Sequence, residues 1–355
     1  MNKKILVAMS GGVDSAVAAL LLKKQGYELG SITMKVWAND EPVYDEDSPA
    51  PDINCIDAKK IADKLDLPHY TVAYGDSFKK HVIDKFLSEY KNGNTPNPCV
   101  ECNKHIKFGK LFENVSCLGY DMLATGHYAR LEPAANGEYL LKKAVDTSKD
   151  QTYFLWSIRK ELLSQIVFPL GEYTKPQIRE IAASHGFSNA HRSDSQDICF
   201  IENGDYSEFI RQMCDCEFPA GDFIDANGNV IGRHTGIINY TIGQRKGLGI
   251  SFGKPMFVGY KNADNNSVTL CTDKELYSDT LTANSINFLV SEDFQKPVRV
   301  QAKIRYRHSP ATATVTRIDE DRISVKFDLP QRAISPGQSV VFYNDETVVG
   351  GGIIE

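Results

Sequence analysis

The chain has 355 residues, 42% of them hydrophobic and 24% charged, with a formal net charge of −6. That length supports one large core and one or two small ones, and the acidic balance argues against non-specific polyanion binding while leaving room for a local basic surface. No apolar run approaches membrane-spanning length, and Lys3-Lys4 with five apolar residues is too short for a signal peptide. The eight irregularly spaced cysteines do not read as a disulfide framework, so the expectation is a cytoplasmic protein with reduced thiols.

The first predicted element is a short buried strand at residues 5–9, then Ser10-Gly11-Gly12-Val13-Asp14-Ser15, then a helix on which Val13, Val17, Leu20 and Leu21 recur until Gly26. Gly11 and Gly12 let the backbone approach a ligand closely, and free N–H groups at the helix start favour an anion. The Lys of a Walker loop is missing, and the spacing fails G-x-G-x-x-G. Asp14 would repel phosphates unless Mg²⁺ stands between them, which makes it a candidate to hold that metal. The stretch resembles the PP-loop of the ATP pyrophosphatase superfamily, whose members cleave ATP between its α- and β-phosphates to activate a carbonyl oxygen as an adenylate.

Strand and helix signals alternate through the first 200 residues, as a parallel sheet requires. Strands are expected at 29–37, 70–73 and 121–125. Helices are expected around Ala58–Leu65 and Phe78–Phe86 and over 107–117, with an acidic surface loop at 38–52. Met34 and Gly126 fall near carboxyl ends of strands, where doubly wound sheets bind ligands. A later helix has Thr174 as N-cap, Gln177 at the capping-box position and Gly186 after its end. Beyond Cys199 the pattern changes to short strands and glycine-rich turns, with a boundary expected near 203–206. The predicted organisation is a Rossmann-like α/β domain at 1–205, a small central domain at 206–282 and a C-terminal β-barrel at 283–355. Over residues 298–307, Val298, Val300, Ala302, Ile304 and Tyr306 alternate with Arg299, Gln301, Lys303, Arg305 and Arg307, which predicts a strand with one apolar and one cationic face.

Two cysteines stand in segments unlike a core: Cys102 after Asn97-Pro98-Cys99, and Cys199 in Ser195-Gln196-Asp197-Ile198-Cys199-Phe200-Ile201. Pro96 and Pro98 predict a stiff loop with Cys102 on or just after it, its thiol exposed. Together with the PP-loop, Ala124-Thr125-Gly126-His127-Tyr128, Lys149-Asp150-Gln151-Thr152-Tyr153-Phe154, residues 240–249, Arg305-Tyr306-Arg307 and Pro336-Gly337-Gln338, these segments closely resemble the tRNA-specific 2-thiouridylases.

That resemblance implies ATP, with Mg²⁺, on Ala8, Met9, Ser10, Gly11, Gly12, Val13, Asp14 and Ser15, with Met34 and Gly126 completing the pocket. It implies adenylation of the C2 oxygen of the wobble uridine and delivery of sulfur from a Cys199 persulfide. Cys102 would be the nucleophile and would end in a Cys102–Cys199 disulfide. Asn97, Pro98 and Cys99 would flank the base, while His127, Lys149, Asp150, Gln151, Arg305, Tyr306 and Gln338 would touch the tRNA. His127 read by itself is more often a satisfied loop histidine. The implied partners are the tRNA anticodon loop and a sulfur-donor protein fed by a cysteine desulfurase, with no membrane and no DNA.

One position departs from the resemblance: Cys99 stands where the family usually has Asp, creating C-x-x-C with Cys102. A tolerated substitution, a redox partner for Cys102, and a metal or iron–sulfur ligand with Cys199 are the three readings, though one C-x-x-C alone is a weak metal signal. Cys55, Cys117, Cys214, Cys216 and Cys271 default to structural roles. Two other function classes fit less well. A PP-loop amide ligase would need no cysteine pair, and a non-catalytic RNA-binding protein would not need Asp14, Cys102 and Cys199 together.

Overall fold

In the computed structural model, residues 3–38, 41–43, 53–190, 198–201, 204–214, 216–250, 253–290, 294 and 296–355 are described. Most of the acidic stretch expected at 38–52, the Ser195-Gln196-Asp197 tripeptide and Asn203 lie outside them.

Strand Lys4–Ala8 is central to a five-stranded parallel sheet, flanked by Glu28–Lys35 with His69–Ala73 on one side and by Met122–Ala124 with Ile166–Val167 on the other. Both faces of this sheet are covered, which is why its strands read as continuous apolar runs. Helices Val13–Lys24, Ile53–Lys64 and Lys175–Ser184 pack a core of Val17, Leu21, Ala58, Ile61 and Ile178 on one face. The capping box at Thr174 and Gln177 is present, and Gly186 takes φ +64 after the helix. On the other face, Leu6, Ile32 and Leu123 meet Val100, Phe108, Leu111 and Val115.

Those last residues belong to one continuous helical run, Pro98–Glu101, Cys102–Lys110 and Leu111–Cys117, whose middle part is π-helical. The expected loop at Cys102 is therefore corrected. Pro98 occupies the first helical turn, where no N–H partner is needed and φ is already suitable, and Asn97 caps it by accepting from the Cys99 N–H at 3.2 Å. The helix starts nine residues before the expected position 107.

Strands Val230–His234, Gly221–Ile224, Ser267–Cys271 and Phe257–Asn262 form a central four-stranded sheet. Its core, with Phe223, Ile238 and Val258, is shared with Phe78, Phe86, Phe200 and Phe209, and Phe200, next to Cys199, packs against the other three rings. Cys214 and Cys216 in this region are joined by a disulfide, against the expectation of reduced thiols throughout.

The C-terminal strands close into an antiparallel barrel when Tyr277–Phe288 pairs with both Ile323–Arg332 and Thr347–Ile354. The first barrel strand runs across the expected division after residue 282. The fold class is that expected: a Rossmann-like parallel sheet, a small central domain and a β-barrel. The hairpin Arg130–Pro133 and Tyr139–Lys142 was not foreseen. It leaves the parallel sheet and extends the barrel sheet through Lys142 opposite Thr347.

The cationic strand is shorter than expected. Regular pairing covers Val298–Lys303, and Arg305 and Arg307 lie in the turn that follows. Arg299 is bound to Asp328 at 2.6 Å, and the Lys303 ammonium sits 5.3 Å from the Tyr306 ring centroid. A partner acid and aromatic faces thus disperse the like charges that the alternation stacked on one face.

Candidate active site

The carboxyl ends of Lys4–Ala8, Glu28–Lys35 and Met122–Ala124 lie side by side, which brings Ser10–Ser15, Met34 and Gly126 to one edge. Gly11 adopts φ +70, a conformation glycine takes without steric cost. The Ser15 hydroxyl donates to the Gly12 carbonyl at 3.1 Å and accepts from the Ser10 N–H at 3.2 Å, so the loop is folded on itself before any ligand arrives. Gly126 presses on its far side: a Cβ there would stand 2.8 Å from the Ser15 nitrogen and 2.9 Å from the Asp14 carbonyl carbon. Because both are backbone atoms, Gly126→Ala is expected to destabilise the protein by about 1–3 kcal/mol and to cut ATP affinity at least about tenfold. Thermal denaturation with and without ATP checks this, and a wild-type ATP shift in the variant would refute it.

Three residues at this edge escaped the sequence reading. Lys175 binds both Asp14 carboxylate oxygens at 2.8 Å, the Tyr128 hydroxyl donates to Asp14 at 2.9 Å, and the Asn189 amide donates to the Gly11 carbonyl at 2.8 Å. The Lys175 side chain is only 8% exposed against 33% for Asp14. Among the described residues the buried Asn189 Oδ1 has no partner. The loop has no lysine of its own, and Lys175 brings a cation to it from the start of a distant helix. Donors at Ser10 and Ser15, backbone amides at a helix start, one carboxylate and one ammonium fit a magnesium-bound polyphosphate.

Cys99, Cys102 and Cys199 form a second cluster, close enough that Cys99 disfavours ionisation of Cys102 and both disfavour ionisation of Cys199. Cys99 and Cys199 are exposed and Cys102 is half-buried, yet protein crowds their inner sides. That desolvation pushes Cys102 up to about 11 and Cys199 up to about 12, and raises Cys99 as well, while Lys107 opposes the rise at all three. Among the described residues no group of three or more His, Cys, Asp or Glu side chains is arranged to hold a metal ion.

The remaining expected residues divide. Arg305 and Arg307 line an open recess of about 670 Å³ with His308 and Gln331. Tyr306 packs on Phe154 with ring centroids 4.5 Å apart. Lys149 is half-exposed. Asp150 is buried, accepting from the Ala144 N–H at 3.0 Å and the Thr152 hydroxyl at 2.7 Å, and burial raises its pKa. Gln151 accepts from the Tyr128 N–H at 2.9 Å, and the Gln338 amide donates to the Thr95 carbonyl at 2.7 Å. His127 is buried between Thr125 and Lys107. His127 and Asp150 are both buried, with their polar atoms bonded inside the protein. Gln338 fastens the segment leading to Asn97 onto the barrel.

A parallel sheet whose first strand feeds Ser10–Ser15, joined to a central domain and a barrel, defines a PP-loop protein of the HUP-domain class. Residues 3–203 match the family described as the tRNA methyl transferase HUP domain, 207–272 its PRC-barrel domain and 278–354 the aminomethyltransferase beta-barrel domain. The tRNA-specific 2-thiouridylase MnmA of Clostridioides difficile is 47% identical over 356 residues, spanning 100% of this chain and 99% of that protein. MnmA 2 of Caldanaerobacter subterraneus is 48% identical over 357 residues, spanning 100% and 98%. Among solved structures, the U34-tRNA thiolase NcsA of Methanococcus maripaludis, with its 4Fe–4S cluster, is similar at a TM-score of 0.36 and 19% identity, covering 59% of this chain and 65% of that one. The chain belongs to the tRNA-specific 2-thiouridylase family. Among the described residues no helix is long and apolar enough to cross a membrane.

Proposed function

We propose that this protein is an ATP-dependent tRNA sulfurtransferase that converts the C2 oxygen of the wobble uridine to sulfur. The observation that carries the reading is the meeting of two half-sites at one short segment. Gly126 abuts the PP-loop, His127 bonds Lys107 beside the cysteines, and Tyr128 bonds Asp14. An activation site and a sulfur site are thereby built on three consecutive residues.

Backbone amides of Ser10–Ser15 and the Ser10 and Ser15 hydroxyls would receive the phosphates of ATP, with Lys175 neutralising charge and Met34 and Gly126 bounding the nucleotide. Asp14 would hold Mg²⁺, which draws charge from the departing pyrophosphate. Attack of the uridine C2 oxygen on the α-phosphorus expels pyrophosphate and leaves a base whose C2 carries AMP as a good leaving group.

Cys199 would bring sulfur as a persulfide delivered by a donor protein. Either its outer sulfur attacks C2, or Cys102 first displaces it as hydrosulfide. In both routes AMP departs, the Cys102 sulfur bonds the Cys199 sulfur as the persulfide S–S bond breaks, and an external two-electron reductant restores the thiols. Asn97, Pro98 and Cys99 would flank the base. Arg305, Arg307 and Lys149 offer cations to the anticodon arm, with Tyr306 presenting a half-buried ring.

The test is incubation with unmodified tRNA, ATP and a persulfide donor, followed by pyrophosphate release and retardation of tRNA in a mercury-containing gel. Release and retardation are expected together, and absence of both with an active donor would refute the function. In the same assay Cys99→Ser and Cys99→Asp are expected to keep activity within about threefold if the thiol is a tolerated substitution. Loss with Ser but retention with Asp identifies a polar role, and loss with both identifies a role for the sulfur.

A further inference from the structure

We propose that Lys107 supplies the positive charge against which negative charge develops on the cysteine sulfurs, held there by the π-helical turn below it and by a neutral His127 behind it. The inference rests on the sulfur-transfer reading above and adds to it a residue and the geometry that places it.

Helical phase gives the first line of support. Between Cys102 and Lys110 the helix is π-helical, closing with the Leu111 N–H on the Ile106 carbonyl five residues back. An i→i+5 ladder sets Lys107 over Cys102, whereas 3.6 residues per turn would carry it well round the helix from that sulfur. The segment is anchored near its start by the Asn103 amide donating to the Phe154 carbonyl at 2.9 Å. Gly109 leaves room there, since a Cβ would approach the Lys104 carbonyl oxygen to 3.1 Å.

The second line is charge. Among the described residues Lys107 is the one cation that acts on Cys99, Cys102 and Cys199 alike, and at each it works against desolvation. The neighbouring sulfurs oppose ionisation of Cys102 and Cys199, and a backbone hydrogen bond at Cys199 favours its thiolate alone. Without Lys107, deprotonation of Cys102 to water, its attack on the persulfide, and departure of hydrosulfide would each build negative charge in a crowded site with no described counter-charge.

The third line is the histidine. His127 Nε2 lies 3.3 Å from the Lys107 ammonium nitrogen, and Nδ1 lies 2.7 Å from the Thr125 hydroxyl oxygen. An ammonium can only donate, so Nε2 must be the bare acceptor and Nδ1 the protonated donor to Thr125. Burial, against Phe108 and Phe168, and the adjacent Lys107 both hold the ring well below its ordinary pKa, so it stays neutral across the working range. A protonated ring would repel Lys107, while the neutral ring fixes where its ammonium points.

Lys107 is thus a positioning residue for charge on sulfur. The test is the pH profile of iodoacetamide alkylation of Cys102 and Cys199 in the full-length protein, read by peptide mass spectrometry, without ATP or tRNA. Alkylation requires thiolate, so the rate rises with pH. In Lys107→Gln that rise is expected to move to higher pH, leaving both cysteines roughly three- to tenfold slower near pH 8. Lys107→Arg is expected to restore most of the rate, and His127→Asn to slow it by less than Lys107→Gln does. An unchanged profile in Lys107→Gln overturns the proposal. If that variant does not fold, a wild-type profile in His127→Asn overturns it instead. Because the assay needs no substrate, it separates failure of this inference from failure of the tRNA reading, which the gel assay of the wild-type protein tests.

Discussion

Replacing Cys199 with Ser is expected to abolish tRNA thiolation, by at least about a thousandfold, while pyrophosphate release stays within about threefold of wild type. A serine hydroxyl can carry no persulfide, and Cys199 lies in a cluster distinct from the loop and residues that would cleave ATP. Cys102→Ser is expected to give the same loss by a different route: Cys199 should then accumulate a persulfide, one sulfur atom heavier by mass spectrometry, that is not discharged. Both substitutions are nearly isosteric at positions with open edges, so stability should change little. Full thiolation in either variant would eliminate the two-cysteine relay.

The second large effect concerns Asp14 and Lys175. Asp14→Asn and Lys175→Met are each expected to lower ATP cleavage about a hundredfold, because one loses the carboxylate for the metal and the other the cation for the phosphates. Their effects on folding should differ in size. Asp14→Asn removes the carboxylate charge beside an ammonium that is only 8% exposed, at a cost of about 1–3 kcal/mol after allowing for the solvent that reaches Asp14. Lys175→Met leaves a carboxylate that water and the Tyr128 hydroxyl still serve, and should cost less. Urea denaturation and a pyrophosphate assay separate these outcomes, and wild-type ATP cleavage by Asp14→Asn would remove the metal-holding role.

Much of this architecture was legible because local chemistry and final structure agree. The loop at Ser10–Ser15 needs glycine at a positive φ between a short buried strand and a helix, and that requirement is written in six residues. The helix at Lys175–Ser184 announces both ends through Thr174, Gln177 and Gly186. Pro98 misled because proline has opposite meanings at a helix start and in a helix interior, and spacing alone does not say which applies. Arg305 and Arg307 misled because alternation continues past the residue where pairing stops. Lys175 and Lys107 were invisible for another reason: one reaches Asp14 across 161 residues, and the other depends on a helical period that apolar spacing at 3.6 does not report. The signal available for Tyr128 was its place two residues after Gly126.

The Gln338 bond to Thr95 spans 243 residues, and it ties the approach to the cysteine helix to the barrel. Thr95 also donates to the Pro336 carbonyl at 2.8 Å, and the neighbouring turn is itself fixed by Gly337 and Gln338 pairing with Ile354. During synthesis, therefore, the segment bearing Asn97 and Cys102 leaves the ribosome long before its fastening exists. The sulfur-handling end acquires its final bracing only when the closing barrel strand arrives, so a chain arrested short of that strand would carry every proposed reactive cysteine and still lack a fixed place to use them.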